Sequence, residues 1–523
     1  MKGINKTFTL ITLAVILPLA AYAQEARIKI DTDRKIGEIS PNIYGNFVEH
    51  LGRCVYDGIY KPGSDKSDES GLRKDVMDAV RDLNVSLTRY PGGNFVSNYH
   101  WLDGVGPNRR PRMELAWQRL ESNEFGTDEF IEFARKIGTE PYFAVNLGTG
   151  TIEEAQNWVE YCNVSEGPYY AELRKQYGHP EPFMVKYWGL GNEMDGDWQM
   201  GHLDAKAYVD KAREAAKLMT MTSPDIKLIA SGSSNYSPGA DPDYWNETVI
   251  DGLKGYVDYI ALHMYVGNRN DNYYDFVASP MMMDERTQVV RGMLYKANRN
   301  SSRPISIAWD EYNVWYRARS GDDMVGDRAL EEKYNLEDAI VIAGFLNSFI
   351  KNADIVKMAN MAQLVNVIAP IFTEGDELMK QTIYYPLQLY SSNMLGNSLD
   401  VYVDCDTYST TRGFSLGDNE SRASLKNVPF LDVSAAINGD ELVIAVINRH
   451  RDKSISTSIE CQESSFSGKV EVYEINGPDI KSENDFGKEN VSTVRKKDIA
   501  VARNEFVYSF PPHSITMIKG KVK

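Results

Sequence analysis

The feature that most constrains this chain is a repeated alternation of short apolar runs and helical patterns between residues 38 and 385. Several of these runs are continuously apolar, which is typical of parallel strands that are covered on both faces. The predicted strands are Ile43–Val48, Ser86–Arg89, Tyr142–Asn146, Val185–Gly189, Lys227–Ala230, Tyr259–Leu262, Ile305–Trp309 and Ile355–Met358. Eight strand–helix repeats predict an α/β protein in which residues 38–385 form a (β/α)8 TIM barrel with long loops.

The segments between the predicted strands carry helix signals. Thr151 and Glu154 have the spacing of a capping box, and the apolar residues that follow keep helical spacing as far as Cys162. Residues 339–350 form another apolar helical stretch. The alternative fold is a doubly wound open sheet, but no Gly-rich phosphate loop follows the first predicted strand.

The character of the sequence changes after residue 386. Short alternating or β-branched runs, such as Leu442–Ile447 and Ile515–Ile518, are separated by turn residues such as Asn438-Gly439-Asp440. This pattern predicts that residues 386–523 form an antiparallel β-sandwich. Residues 24–37 contain a similar alternating run, and we expect this segment to add a strand to the sandwich.

Residues 1–23 have the pattern of a signal peptide. Lys2 and Lys6 precede an apolar run that is too short for a membrane span, and the small-residue site Ala21-Tyr22-Ala23 follows. We therefore predict cleavage before Gln24, export to the periplasm or the extracellular space, and no membrane association after cleavage. The alternative is a retained N-terminal anchor helix.

Charge and cysteine usage limit the partners of the chain. With 74 acidic and 57 basic residues, its formal net charge of −17 would repel a phosphate backbone, so nucleic acid is not an expected partner. The cysteines form no C-x-x-C pair, so no zinc site is indicated, although export leaves one disulfide possible. The four cysteines are Cys54, Cys162, Cys405 and Cys461.

Two glutamates follow predicted strands at positions where barrel enzymes place their chemistry. Glu193 comes after the fourth strand, and Glu311 comes after the seventh. Cleavage of a glycosidic bond needs two carboxyl groups, one to protonate the leaving oxygen and one to attack the sugar or activate water. Asp195 and Asp310 are the rival candidates, but strand alternation predicts that Asp310 and Glu311 point in opposite directions.

The sequence around these glutamates resembles the retaining (β/α)8 glycosidases and, within them, the α-L-arabinofuranosidases of glycoside hydrolase family 51. The motifs that carry the resemblance span the whole barrel in the same order, and together they are highly specific. They are Asn46-Phe-Val-Glu49-His50-Leu-Gly52-Arg53-Cys54, Arg89-Tyr-Pro-Gly-Gly-Asn94-Phe-Val-Ser-Asn98-Tyr-His-Trp101, Trp188-Gly-Leu-Gly-Asn192-Glu193-Met-Asp195-Gly, His263-Met-Tyr265 and Met361-Ala-Gln363-Leu-Val-Asn366. The resemblance also implies a C-terminal β-sandwich.

The resemblance implies a role for each matched residue. Glu193 would be the general acid/base and Glu311 the nucleophile, with Arg89 pairing with Glu311 and keeping it ionised. Tyr265 would donate a hydrogen bond to the nucleophile, and Asn192 would bind the sugar 2-hydroxyl. The other implied substrate-binding residues are Glu49, Asn94 and Gln363, which would hold furanose hydroxyls, and Trp101 and Trp315, which would form apolar walls.

The predicted chemistry needs neither a metal nor an organic cofactor. His50, His202 and His263 share no ligand spacing, so we interpret them as hydrogen-bonding residues around the site. Gly92-Gly93 lacks the Lys of a phosphate-binding loop and is interpreted as a turn. One departure is Tyr312, where the family often has Trp, and we expect this change to alter the shape of the sugar subsites.

The predicted function is exo-acting hydrolysis of terminal α-L-arabinofuranosyl residues from the non-reducing end, with net retention at the anomeric carbon. The expected substrates are arabinan, arabinoxylan and their oligosaccharides, and the resemblance implies a possible homo-oligomer. One alternative is an endo-glucanase or endo-xylanase on the same barrel, which would need an open cleft. The other is a non-catalytic sugar-binding protein, which we expect to have lost one of the two carboxylates.

Overall fold

The computed structural model describes residues 25–237, 239–411, 424–501 and 503–523. Its larger part is a closed barrel of eight parallel strands, which confirms the predicted TIM barrel. The barrel strands, in chain order, are Gly45–Phe47, Leu87–Tyr90, Glu140–Val145, Tyr187–Leu190, Lys227–Ala230, Tyr259–Val266, Ser306–Val314 and Val356–Ala362. The predicted signal peptide lies outside the described residues.

The last three barrel strands continue well beyond their predicted C-terminal ends, and the eighth ends at Ala362. The sixth continues to Val266 and the seventh to Val314, and the two pair with each other up to these residues. Tyr265 and Glu311 therefore lie within strands rather than directly after them. A strand holds a side chain more rigidly than a loop does, so both groups are fixed at the C-terminal end of the barrel.

Helices cover the outside of the barrel. Thr151 accepts a hydrogen bond from the backbone N–H of Glu154, and the helix that it caps runs over Ile152–Asn163. The helix Leu336–Lys351 is buried on almost every face because it lies between the barrel and the C-terminal domain. Further α-helices span Lys74–Asp82, Thr127–Ile137, Tyr169–Gln176, Ala205–Thr222, Pro242–Leu253, Tyr273–Val277, Pro280–Asn298 and Tyr384–Asn393.

The C-terminal domain is a ten-stranded and mostly antiparallel sheet. The strand Glu25–Glu38 lies inside it, antiparallel to Asn397–Asp404 and parallel to Ile455–Gln462. The sequence predicts an all-antiparallel domain, and this one parallel pairing departs from that expectation. The two strands that flank Glu25–Glu38 run in opposite directions, so Glu25–Glu38 must be parallel to one of them. The other strands are Leu431–Asn438, Glu441–Asn448, Phe466–Asn476, Ser492–Arg495, Ile499–Val501, Glu505–Phe510 and Ser514–Val522.

The boundary between the domains lies later than the sequence predicts. The helix Tyr384–Asn393 runs through the predicted boundary at residue 386, and its Tyr384 hydroxyl donates to the carbonyl of Ala79 on a barrel helix. The sheet begins only at Asn397. The last barrel helix therefore carries part of the segment that composition alone assigned to the sandwich.

The two domains are joined by an ion pair between a partly exposed lysine and a buried aspartate, and they have no disulfide. Nζ of Lys351, on a barrel helix, lies 3.0 Å from Oδ1 of Asp432 in the sheet. Nη2 of Arg449, also in the C-terminal domain, lies 2.9 Å from Oδ2 of the same carboxylate. All four cysteines are free, and burial raises the pKa of the Cys54 thiol to about 12. Within the described residues, no helix is long and apolar enough to cross a membrane.

The barrel interior changes from apolar to polar toward the C-terminal ends of its strands. A lower layer of side chains consists of Leu87, Tyr142, Tyr187, Ile229, Ala261, Ala308 and Met358. Side chains at positions i and i+2 of a strand share one face, so Arg89, Asp310 and Asn360 form the next inward layer. These three side chains are buried. One of them, Arg89, contacts Glu311 of the candidate site.

Candidate active site

A cavity of about 510 Å³ opens at the C-terminal end of the barrel. Strand ends and the loops that follow them form its walls, as in other TIM barrels. Seven of the predicted catalytic and substrate-binding residues line it, namely Glu49, Asn94, Glu193, Tyr265, Glu311, Trp315 and Gln363. Arg89 and Asn192 lie beside Glu311 and contact each other, whereas Trp101 is not among the lining residues.

Glu311 is buried and held by two hydrogen-bond donors. Arg89 Nη1 donates to Oε1 at 2.7 Å, and the Tyr265 hydroxyl donates to Oε2 at 2.7 Å. Burial alone would raise the pKa of Glu311, but the charges of His263 and Arg89, with the hydrogen bond from Tyr265, hold this pKa below its usual value. Glu311 is therefore a carboxylate at neutral pH.

Arg89 is fully buried and connects Glu311 to two other side chains. Its Nη2 donates to Asn192 Oδ1 at 2.5 Å, and its Nε lies 3.3 Å from Asp310 Oδ2. The ring of Phe47 faces the guanidinium, whose central carbon is 4.6 Å from the ring centroid. Burial alone would lower the pKa of Arg89, but the charges of Asp310 and Glu311 raise it, so this cation is permanent.

The predicted opposite orientation of Asp310 and Glu311 is wrong. Ala308 pairs with Ala261 and Glu311 pairs with His263, so the seventh strand has one residue more than the sixth between these pairs. This irregularity is a β-bulge, which breaks the alternation of side chains. Asp310 and Glu311 consequently both reach Arg89.

Glu193 lies in the loop after the fourth strand. Its backbone φ of +44° is in the left-handed region, which non-glycine residues seldom adopt. The indole N–H of Trp198 donates to Oε2 at 2.7 Å, and Nδ1 of His263 lies 3.0 Å from Oε1. Strained backbone of this kind costs about 1–3 kcal/mol and is found mainly at functional sites.

Glu193, Glu311 and His263 lie close together. One oxygen of each carboxylate and one ring nitrogen of His263 are all within 4.8 Å of one another. Burial alone would lower the pKa of His263, but the charge of Glu311 and the hydrogen bond to Glu193 raise it. A trio of this kind can bind a metal ion, but Arg89, Tyr265 and Trp198 already donate to its oxygens. That no metal is needed stays a prediction.

Glu49 forms a second polar group on the cavity wall. Its Oε1 accepts hydrogen bonds from the Phe95 backbone N–H and the Trp117 indole, both at 3.0 Å, and Oε2 accepts one from Gln363 at 2.8 Å. Burial raises the pKa of Glu49 to about 8, against the lowering effect of these donors and with a further increase from Glu311. Protonation of Glu49 is thus sensitive to whatever fills the cavity.

Gly92 and Gly93 allow the loop after the second strand to approach both carboxylate groups. A Cβ atom on Gly92 would lie 2.5 Å from Cγ of Glu49, and one on Gly93 would lie 3.0 Å from Oε1 of Glu311. A side chain at either position would displace these carboxylates. The pair therefore forms a close-packed turn beside the site.

Trp101 is a core residue, and the prediction that it forms a wall of the pocket is wrong. Its ring stacks on Trp158 with centroids 6.2 Å apart, and its indole N–H donates to the carbonyl of Glu154. Trp315 does line the cavity, where its ring meets that of Tyr265 with a centroid distance of 5.4 Å. The two tryptophans differ because Trp101 turns toward the helix Ile152–Asn163.

Tyr312 and Asp195 also have roles that differ from the sequence-based interpretation. The ring of Tyr312 packs against Phe345 and Phe349 of a covering helix, so the expected effect on the sugar subsites is wrong. Its side chain points away from the cavity.

Asp195 accepts hydrogen bonds from the backbone N–H and the hydroxyl of Ser234, at 2.8 Å and 2.5 Å. It holds the loop after the fifth strand and is not a rival catalytic acid.

Two tryptophans of the site were missed from the sequence. Trp117 lies on a hairpin formed by Arg112–Glu114 and Arg119–Glu121, which inserts after the second barrel strand and carries its indole to Glu49. No pattern in the sequence marks this hairpin. The contact of Trp198 with Glu193 could have been predicted, because Trp198 follows Glu193 closely in the same loop. Both tryptophans line the cavity.

The three histidines that the sequence places around the site have different environments. His50 lies 2.9 Å from Glu121 of the hairpin and 2.8 Å from the Tyr90 hydroxyl, in agreement with a hydrogen-bonding role around the site. His202 is exposed and is not among the residues lining the cavity. His263 contacts Glu193 directly, so it belongs to the centre of the site.

A TIM barrel with two closely spaced glutamates at the ends of its fourth and seventh strands defines a class, the (β/α)8 glycoside hydrolases. Comparisons with known proteins identify the family. Residues 79–282 match the model of the alpha-L-arabinofuranosidase 1 domain, and residues 310–514 match that of the alpha-L-arabinofuranosidase C-terminal domain. The chain belongs to the α-L-arabinofuranosidases of glycoside hydrolase family 51.

Similar proteins cover nearly the whole chain. The intracellular exo-α-(1→5)-L-arabinofuranosidase of Halalkalibacterium halodurans is 40% identical over 508 residues, which are 94% of this chain and 98% of that protein. The intracellular exo-α-(1→5)-L-arabinofuranosidase 1 of Bacillus subtilis is 39% identical over 510 residues, which are 95% of this chain and 99% of that protein. The crystal structure of the α-L-arabinofuranosidase from Thermotoga maritima with arabinose has a TM-score of 0.87, 41% identity, and coverage of 95% and 100%.

Proposed function

We propose that this enzyme releases terminal α-L-arabinofuranosyl residues from the non-reducing end of arabinose-containing glycans, with net retention at the anomeric carbon. The observation that carries the proposal is the pair Glu193 and Glu311. One oxygen of each lies within 4.8 Å of one of the other, which suits a retaining enzyme, with carboxyl groups about 5–5.5 Å apart, better than an inverting enzyme, with carboxyl groups about 6.5–9.5 Å apart. Arg89 donates only to Glu311 of the two.

The unequal surroundings of the two glutamates support different roles for them. In the first step, Glu311 attacks the anomeric carbon to form an arabinosyl ester, while Glu193 gives its proton to the departing glycosidic oxygen. In the second step, Glu193 takes a proton from water, which attacks the same carbon and releases Glu311. Each step inverts the anomeric carbon, so the overall configuration is retained. Arg89 and Tyr265 keep the nucleophile charged and oriented throughout.

The remaining polar groups of the cavity are suited to hold one furanose ring. We assign Glu49, Asn94, Asn192 and Gln363 to the sugar hydroxyls, with Trp315 against an apolar face. Among the described residues, Oε1 of Gln363 is buried and has no hydrogen-bond partner, so it is available to accept from a hydroxyl group. Trp117 positions Glu49 from the opposite side.

The expected natural substrates are arabinan, arabinoxylan and their oligosaccharides. Two relatives are named for exo action on (1→5) linkages, so (1→5)-linked arabino-oligosaccharides are the first substrates to test. Convergence of the polar groups on one cavity favours an exo-acting enzyme over an endo-glucanase or endo-xylanase. Retention of both carboxylates argues against a non-catalytic sugar-binding protein.

Activity assays separate these functions. We expect turnover of p-nitrophenyl α-L-arabinofuranoside, and proton NMR of the first-formed arabinose should show the α anomer. Monosaccharide should be the first product released from branched arabinan. Strong cleavage of unbranched glucan or xylan without turnover of the aryl arabinofuranoside would refute the proposal, and binding without any turnover would support the sugar-binding alternative.

Export and assembly stay predictions. The two bacterial relatives are named intracellular, which is at odds with the predicted export, and the signal-like residues 1–23 lie outside the described residues. Cell fractionation with N-terminal sequencing tests export, because a processed chain should begin at Gln24. A full-length chain in the cytoplasm would exclude it. Light scattering on the purified enzyme would show whether it forms the predicted homo-oligomer.

A further inference from the structure

Asp310 is a buried carboxylate that the proposed reaction does not use. Only 3% of this residue is exposed, and it is not among the residues that line the cavity. The Tyr142 hydroxyl donates to its Oδ2 at 2.9 Å, and the side-chain amide of Asn360 donates to its Oδ1 at 2.7 Å. Both carboxylate oxygens are thus held by neutral donors, one from the third barrel strand and one from the adjacent eighth strand. Nothing in these contacts allows Asp310 to reach a bound sugar.

Asp310 and Glu311 share one cation. Nε of Arg89 lies 3.3 Å from Asp310, Nη1 donates to Glu311, and Nη2 donates to Asn192. Each side of the guanidinium therefore faces a different acceptor. Nη1 and Nη2 are hydrogen-bonded, whereas Nε has no hydrogen-bond partner among the described residues and contacts Asp310 as an ion pair. Rotation of the planar fork would lose at least one of these three contacts. The bulge in the seventh strand makes this arrangement possible, because it turns two consecutive acidic residues toward the same arginine.

We propose that Asp310 is a positioning residue that fixes the orientation of Arg89 and shares its positive charge with the nucleophile Glu311. This inference rests on the proposed function, in which Glu311 attacks the sugar. A buried arginine paired with Glu311 alone would neutralise the carboxylate strongly and make it a weaker nucleophile. A second anion on the same guanidinium leaves more negative charge on Glu311. The arginine still keeps Glu311 ionised.

The charged and titratable groups around this pair determine the sign of the effect. Those that face Glu311 or Asp310 from the packed strands and loops are Glu49, Arg89, Tyr142, Glu193, His263 and Tyr265. If these groups are unchanged, removal of the charge on Asp310 removes a repulsion and frees Arg89 for Glu311. Both changes favour the ionised form of Glu311, so its pKa falls.

The test is the pH dependence of kcat/KM for Asp310→Asn, with an aryl α-L-arabinofuranoside as substrate. The substitution preserves shape, and a half-turn of the Asn360 amide would present its oxygen to the new N–H. We expect the acid limb of the pH profile, where kcat/KM falls as Glu311 becomes protonated, to move to lower pH by about one unit. The maximum of kcat/KM should fall about ten-fold. A folded variant whose acid limb stays at the wild-type pH would overturn the proposal, whatever its activity.

A second variant changes the same carboxylate without removing its charge. Tyr142→Phe deletes the hydroxyl donor to Asp310, so the negative charge on Asp310 is less neutralised. This charge then raises the pKa of Glu311, and the acid limb should move to higher pH by roughly a few tenths of a unit. The two variants therefore shift the limb in opposite directions. If Asp310→Asn does not fold, Tyr142→Phe decides alone, and an unmoved or lowered limb would contradict the proposal.

Glu311→Ala in the same assay distinguishes the two levels of inference. If this variant retains turnover, the proposed function is wrong, because Glu311 is then not the nucleophile. If turnover is lost but the limb of Asp310→Asn does not move, only the role of Asp310 is wrong. A purely structural role for Asp310 predicts that circular dichroism and thermal unfolding change while the shape of the pH profile does not.

Discussion

Glu311 and Glu193 face the same cavity, but their surroundings have opposite character. Glu311 is buried within a barrel strand, with a guanidinium on one oxygen and a phenol on the other. Glu193 is partly exposed in a loop, with an indole on one oxygen and an imidazole on the other. The first environment fixes a negative charge. The second places a carboxyl group at the cavity without a direct contact to Arg89.

In the proposed mechanism, this difference lets one kind of chemical group serve two purposes at a distance of a few ångströms. A retaining mechanism needs one carboxylate that stays ionised and one carboxyl that cycles between acid and base. A permanent cation beside one glutamate only is the simplest way to separate them. Substitutions at the two glutamates and at their partners therefore test whether the asymmetry has this meaning.

The largest expected effect is that of Glu311→Ala. Removal of the proposed nucleophile should lower kcat by about 10⁵-fold on every substrate, because the covalent intermediate can then no longer form on this residue. Added azide should restore slow turnover and give the arabinosyl azide of inverted configuration. An azide product of retained configuration would show that the roles of Glu311 and Glu193 are exchanged.

The next effect is that of Glu193→Ala, and it should depend on the leaving group. Loss of general acid catalysis should lower kcat/KM by about 10³-fold for oligosaccharides, within the usual range of such effects. A nitrophenyl leaving group needs little protonation, so its first step should be nearly unaffected. Azide should accelerate the second step and give the retained azide. Equal losses for aryl and oligosaccharide substrates would contradict the assignment.

Arg89→Ala tests the cation that separates the two glutamates. Without Arg89, the effect of burial on the pKa of Glu311 is less opposed, so this pKa rises and the acid limb of kcat/KM should move to higher pH. The maximum should fall by about 10²-fold, as for loss of a strong electrostatic contact. Arg89→Lys retains a charge and is the matched control. An acid limb that moves equally in both variants would argue against this effect of charge.

The smallest expected effect is that of Trp198→Phe, which removes the indole N–H from Glu193. One lost hydrogen bond to a carboxylate should reduce kcat by about ten-fold on oligosaccharides and less on aryl substrates. Trp101→Phe is the control, because this indole is buried in the core and contacts neither glutamate. We expect that variant to melt at a lower temperature with unchanged kcat, whereas Trp198→Phe should keep its melting temperature.

Much of this arrangement could be predicted from the sequence. The eight barrel strands have strong local signals, because strands covered on both faces need continuous apolar residues. Position within this pattern then placed Glu193 and Glu311 at the C-terminal end of the barrel, where they are found. The family motifs added Arg89 and Tyr265, whose contacts with Glu311 the structure shows.

The rest depended on features that periodicity does not encode. A one-residue bulge in the seventh strand reverses the expected direction of Asp310, and the alternation rule has no means to indicate it. The hairpin that carries Trp117 is an insertion in a loop, so its position is determined by tertiary contacts such as that with Glu49. Trp101 and Tyr312 are large aromatic residues near motifs, where only packing decides whether a ring faces core or cavity.

The most direct measurement of the central claim is the identification of the residue that carries the sugar. Glu193→Ala with an activated aryl α-L-arabinofuranoside should accumulate the covalent intermediate, because its first step is fast and its second step is slow. Mass spectrometry of a rapid acid-quenched digest should then find one arabinosyl group esterified to Glu311. An ester on any other residue, or no ester together with formation of β-arabinose, would contradict the account.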